Sequence, residues 1–129
     1  MNILDENFPP NLRQLLRSWR VPIRHIGYDT GRKGMKDNEI IPFLLSLPRP
    51  TFFTLDMGFY RRSLCHARYS LVCLDVRQQE AAAFVRRLLR HPEFDTHVKR
   101  MGTIIRVSYA KLSIWRLHAE DEALFSWID

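Results

Sequence analysis

Three short apolar runs in this chain each close on an aspartate. Asn2-Ile3-Leu4 ends at Asp5, Thr51-Phe52-Phe53-Thr54-Leu55 at Asp56, and Ser70-Leu71-Val72-Cys73-Leu74 at Asp75. The later two are apolar at odd and even positions alike, so a strand made from either must bury both faces. A parallel sheet covered by helices on each side meets that demand. The intervening segments supply the helices. Pro9 and Pro10 suit a helix start, where proline's missing N–H is not needed. Leu12, Leu15, Leu16 and Trp19 then follow at i, i+3, i+4 and i+7. Asp37 is a good N-cap for a helix over Glu39 to Leu47, which Pro42 must delay or kink. Gln78 to Arg90 forms a further helix, with Ala81, Val85, Leu88 and Leu89 inward. Pro22 to Ile26 reads as a second strand, with a short helix around Phe59 to Cys65 and a turn of helix within 92–100. Thr103 to Tyr109 and Lys111 to Leu117 form a closing hairpin.

This order predicts an α/β fold, a three-layer α/β/α sandwich with a mainly parallel sheet and a C-terminal β-hairpin. At 129 residues the length fits one domain. The domain is expected over 1–117, followed by an acidic amphipathic tail over 118–129. No apolar run approaches the ~20 residues of a membrane helix, and acid at Asp5 and Glu6 argues against a secretory signal. Cys65 and Cys73 make neither a disulfide framework nor a zinc spacing. The expected setting is the reducing cytoplasm, with no membrane partner.

Charge narrows the partners. Of twenty basic residues sixteen are arginine, a type suited to planar, bidentate phosphate contacts. All twenty lie in 1–117 with ten of the fourteen acids, so that body carries +10 and the tail −4. A basic body fits a nucleic-acid partner, although basicity alone can serve only solubility.

In parallel α/β sheets, ligands sit at the carboxyl ends of strands, near the point where strand order reverses. Asp5, Asp56 and Asp75 occupy such ends, and Asp5 meets Asp56 if the first and third strands are neighbours. Asp37 could join them at the same edge. Carboxylates gathered together repel unless protonated or bridged by a cation. Mg²⁺ or Mn²⁺, hard ions with oxygen ligands, are the natural bridges. Such ions activate water for displacement at a phosphodiester, and a basic rim would hold the remaining phosphates. Strand-end aspartates also serve as turn and capping residues.

Leu4-Asp5-Glu6-Asn7-Phe8-Pro9 resembles the L-D-E-N-L-P opening of a family of small prokaryotic PIN-like domains, which includes VapC-like toxin ribonucleases. Asp37-Asn38-Glu39-Ile40 resembles that family's D-x-E-I helix start, and Thr54-Leu55-Asp56-Met57-Gly58-Phe59 its T-x-D-x-D-F element. The three occur in order over roughly residues 1–75. The resemblance implies a Rossmann-like fold and a metal-dependent endoribonuclease, the toxin of a toxin–antitoxin pair in many prokaryotic members. It implies Asp5, Asp37 and Asp56 as catalytic and Mg²⁺-site residues, with Glu6 accessory and Asn7 and Thr54 positioning groups around them. One position departs from the pattern: Gly58 stands where the family has its second aspartate. Asp75 is a conceivable substitute ligand, and an N-cap for the helix near Gln78 is its other reading.

Other residues carry double readings. Arg32, Lys33 and Lys36, in a flexible loop beside the presumed site, are the candidates for RNA contact. Arg13, Arg17, Arg20, Arg86, Arg87 and Arg90 read as solvated helix faces. His25, His66 and His91 suit proton transfer or a structural place, and Trp19, Phe52 and Phe53 read as core. The tail, with Ala123, Leu124, Phe125, Trp127 and Ile128 among four acids, is either a helix docked on the sheet or a phosphate mimic in a basic groove. Three functions follow: the ribonuclease, with an antitoxin protein and a second copy as candidate partners; a PIN-like domain without catalysis that binds RNA or protein; and a flavodoxin-like phospho-acceptor domain. The last lacks a suitably placed lysine.

Overall fold

The computed structural model describes residues 1–127, and the tail residues Ile128 and Asp129 lie outside the described residues. In chain order the elements are β1 (Asn2–Leu4), α1 (Pro10–Ser18), β2 (Arg24–His25), α2 (Asp37–Leu45), β3 (Thr51–Thr54), β4 (Ser70–Leu74), α3 (Ala81–Leu89), α4 (His97–Arg100), β5 (Thr103–Val107), β6 (Lys111–Arg116) and β7 (Ala123–Ser126). Single 3₁₀ turns at Met57–Phe59, Arg62–Leu64 and Gln78–Glu80 join them.

All strands belong to one seven-stranded sheet, ordered β2-β1-β3-β4-β5-β6-β7. The first five in that order pair in parallel, and β6 and β7 add antiparallel. From β1 the chain steps outward to β2, then crosses to the other side at β3. The switch point therefore falls between β1 and β3, where a crevice opens at the carboxyl edge.

The double-sided burial expected from the apolar runs is met. Phe52 and Phe53 are adjacent, fully buried, and belong to opposite layers. Phe53 packs with Leu12, Leu16, Val85 and Leu88 of α1 and α3. Phe52 packs with Ile40 and Leu44 of α2 and, edge to face at 5.4 Å, with Phe59. Mean apolar burial on this scale stabilises by roughly 1.5–3 kcal/mol per large side chain.

Several local expectations change. Lys36, not Asp37, is the N-cap of α2, and its N–H reaches Glu39 Oε1 at 3.3 Å. Asp37 is instead the first helical residue, where its charge still faces the positive end of the helix. Pro42 lies inside α2, removing one backbone bond without ending so short a helix. The stretch expected to start the third long helix is a 3₁₀ turn until Ala81.

The tail is not a helix. Ala123–Ser126 forms β7, paired with the free edge of β6. Its alternation, half-buried at Ala123 and Phe125 and exposed at Leu124 and Ser126, is the period-two signature of an edge strand. Phe125 meets Phe94 at 5.8 Å, and the Trp127 indole N–H donates to the Ser108 carbonyl at 2.8 Å. No helix among the described residues is long and apolar enough to cross a membrane.

Candidate functional site

β1 and β3 carry Asp5 and Thr54 to the same edge, and the Asp5 N–H donates to the Phe53 carbonyl at 2.9 Å. The Asp5 carboxyl is buried. Its Oδ2 accepts the Thr54 hydroxyl at 2.7 Å, and Thr54 Oγ1 in turn accepts the Asp56 N–H at 3.0 Å. One hydroxyl thus joins the two strand-end aspartates. Burial raises the Asp5 pKa above the usual carboxylate value, hydrogen bonds from Thr54 and the Glu6 and Asn7 backbone oppose that rise, and the nearby charge of Asp37 adds to it. The anionic form is therefore under tension at neutral pH.

Asp56 turns back on its own chain. Its Oδ1 accepts the Gly58 N–H at 2.8 Å and starts the 3₁₀ turn at Met57–Phe59. A Cβ at position 58 would stand 2.9 Å from that same Oδ1, so any side chain there forces Asp56 to move. Phe59, buried against Phe52, anchors the turn from below.

Asp37 lies on a surface groove of about 600 Å³ whose wall also includes Asn38, Gly58, Phe59 and Arg61. Among the described residues, no group of three or more His, Cys, Asp or Glu side chains comes close enough to hold a metal ion. The donors present fit a different arrangement. Mg²⁺ is commonly held by one or two carboxylates, with water and substrate phosphate completing its shell. Asp37, which lines the groove, and Asp5, which its charge reaches, are the two candidates, and a cation between them would relieve the tension on Asp5.

The other expected site residues scatter. Glu6 Oε1 accepts the Gly34 N–H at 2.8 Å, tying the 27–34 loop to the end of β1. Asp75 caps no helix, because the Arg106 Nε and Nη2 claim its Oδ2 at 3.2 and 2.6 Å, beyond β4 and away from Asp5. Arg32 is ion-paired with Glu39, and Lys33 lies 5.2 Å over the Tyr28 ring. These contacts fasten a loop expected to be flexible.

The helix arginines are also engaged. Arg13 holds Asp29 through two bonds of 2.8 and 2.6 Å, and Arg17 adds a contact at 3.0 Å. Asp29 also accepts the His25 N–H at 3.0 Å, so the clamp fixes α1 to the loop after β2. Arg86 stacks on Trp19 at 3.7 Å. The reading of these positions as merely solvated fails for Arg13, Arg17, Arg86 and Arg87, the last lying 4.4 Å over the Trp127 ring. Their only sequence signal was an i, i+4 arginine pair with no acid nearby in sequence.

The clamp has a pH signature. The Arg13 guanidinium holds the Asp29 carboxyl far below the usual carboxylate range. Its stabilisation is then complete above the unfolded-state pKa of about 3.9 and is lost as pH falls toward the folded value. Urea midpoints of wild type and Asp29→Asn should differ at pH 7, and the gap should narrow as pH falls from about 4 toward 2. A gap as large at pH 2 as at pH 7 would show that the charge is not what stabilises.

His25 is fully buried at the end of β2 and stacks on Tyr28 at 4.4 Å. Both its ring nitrogens lack a hydrogen-bond partner, and burial lowers its pKa. Its neighbours are the backbone of Asp5 and Glu6, and it does not line the groove. His91, which packs among Phe94, Phe125 and Trp127, is likewise structural.

Comparison with protein-family models, with curated proteins and with solved structures finds no match to this chain.

Proposed function

We propose that the chain is a PIN-like domain that cleaves single-stranded RNA with the help of Mg²⁺ or Mn²⁺. The observation that carries the reading is the buried carboxyl of Asp5 at the β1/β3 switch point, bonded to the Thr54 hydroxyl, with burial and the charge of Asp37 raising its pKa. Carboxylates with perturbed pKa values cluster at functional sites.

Asp5 and Asp37 would hold one cation. That ion, when bound, supplies charge neutralisation and Lewis-acid chemistry at a phosphodiester. Thr54 keeps the Asp5 carboxyl in one orientation, and its second bond fixes the start of the Asp56 turn. Arg61, which lines the same groove as Asp37, offers a guanidinium to the RNA backbone. Arg32, Lys33 and Lys36 extend the basic rim, Arg32 partly neutralised by Glu39. Asp56 acts by shaping the edge rather than as a third ligand. Asp75 serves Arg106 instead. Service as the toxin of a toxin–antitoxin pair is an extension of this reading, and a small DNA-binding protein encoded beside it would support it.

A second reading, a PIN-like domain that binds RNA or a protein without cleaving, is favoured by Gly58. The family's second acid cannot be added there without displacing Asp56. Cleavage of a labelled single-stranded RNA in Mn²⁺ and in EDTA separates the two. The nuclease reading predicts Mn²⁺-dependent cleavage that falls at least about tenfold in Asp37→Asn. RNA binding without cleavage at any Mn²⁺ concentration would select the second reading.

A further inference from the structure

The carboxyl edge continues past β3. Pairing sets Thr54, Cys73, Arg106 and Ser113 side by side across β3, β4, β5 and β6, and residues paired in this way present their side chains to one face. Arg106 stands two strands from Thr54, about 10 Å at ~4.8 Å per strand. Asp75 grips its Nε and Nη2, while Nη1 has no hydrogen-bond partner among the described residues. Tyr60, just beyond the turn that Asp56 begins, places its hydroxyl near this guanidinium.

A carboxylate from the far end of the chain enters that corner. After β6 the chain reverses at His118, whose φ of +67° is a conformation most side chains avoid. The Ala119 N–H closes the reversal on the Arg116 carbonyl at 3.0 Å. The segment then lays Glu122 Oε2 on the Tyr60 hydroxyl, with its charge also felt by Arg106. A carboxylate that accepts from a phenol, with the charge of a guanidinium reaching it, stands where a phosphodiester oxygen could be held.

We propose that Tyr60 and Arg106 form an anion subsite for a backbone phosphate of single-stranded RNA, occupied by the chain's own Glu122 until RNA displaces it. The identity of the anion rests on the ribonuclease reading. Asp75 is then a positioning residue that holds one edge of the guanidinium and leaves the other open. Displacement needs only segment 117–122 to shift. β7 stays held by its pairing with β6 and by the Trp127–Ser108 bond. The acidic tail thus acts through one residue and its connecting segment, with its apolar part built into the sheet.

Glu122→Gln tests this without disturbing the packing, because the amide oxygen can still accept the Tyr60 hydroxyl while the charge is gone. Binding of a fluorescein-labelled single-stranded RNA is measured by anisotropy in EDTA, for wild type, Glu122→Gln and Glu122→Gln/Arg106→Gln. The expected result is roughly five- to tenfold tighter binding by Glu122→Gln, reversed in the double variant. Equal affinities for wild type and Glu122→Gln, a gain that survives Arg106→Gln, or no RNA binding by any variant would each overturn it. The nuclease reading is judged separately by Mn²⁺-dependent cleavage. An Arg106-dependent gain without cleavage keeps the subsite and rejects the nuclease, and cleavage without the gain does the reverse.

Discussion

Asp5→Asn should abolish Mn²⁺-dependent RNA cleavage and, at neutral pH, make the protein more stable. The two effects share one cause. Burial and the charge of Asp37 raise the Asp5 pKa, so the folded state binds this proton more tightly than the unfolded chain does. The ionised carboxylate is then a net penalty to folding above its folded pKa. The penalty shrinks as pH falls through that value and vanishes below the unfolded pKa of about 3.9. Asparagine can still accept the Thr54 hydroxyl but carries no charge. The melting temperature of Asp5→Asn should therefore exceed that of wild type at pH 7.5, and the two should converge near pH 4. Activity should fall more than about a hundredfold, beyond what losing an outer-sphere partner of a cation costs. Added Mn²⁺ should raise the wild-type melting temperature and leave that of the variant unchanged. A variant less stable than wild type at pH 7.5 would mean that Asp5 is a structural residue whose bonds outweigh its burial.

The second large effect separates two core phenylalanines. Phe52→Ala and Phe53→Ala should each cost about 3–5 kcal/mol, since each removes a fully buried aromatic from a packed layer. Their consequences for the site should differ. Phe53 packs with α1 and α3, away from the groove. Phe52 supports Phe59, which anchors the turn between Asp56 and the groove wall. In the folded fraction, Phe52→Ala should weaken RNA cleavage or binding several-fold more than Phe53→Ala does. Urea denaturation with activity assayed well below the transition midpoint gives both numbers. Equal functional losses would show that the site responds to global stability alone.

The sheet was legible because its constraint is written locally. A run such as Phe52-Phe53 has no polar face to show to water, so its only stable place is between two layers. The same runs put Asp5 and Asp56 at one edge once β1 and β3 are neighbours. The tail was misjudged because Ala123, Leu124 and Phe125 are consecutive and apolar. Four residues cannot distinguish a period of 2 from one of 3.6. The free edge of β6 decided the matter, and that edge appears only after the sheet is assembled.

The polar contacts were less visible for a related reason. Asp29 draws its partners from α1, and Arg106, Tyr60 and Glu122 come from three distant segments. No spacing rule links such residues before the fold exists. Gly58 was legible as a missing acid. What the sequence did not reveal is that a Cβ there would stand 2.9 Å from the Asp56 carboxylate, which would have to shift. Asp75 lies at the carboxyl end of β4, as its run implies, and bonds Arg106 of β5, a partner that no spacing in the sequence indicates.

The most direct test is a calorimetric titration of the wild-type protein with Mn²⁺, run beside Asp5→Asn. Wild type should bind Mn²⁺ saturably, near one ion per chain, and Asp5→Asn should lose that binding. Wild type that binds no Mn²⁺, or an Asp5→Asn variant that binds it equally well, would rule out Asp5 as a ligand.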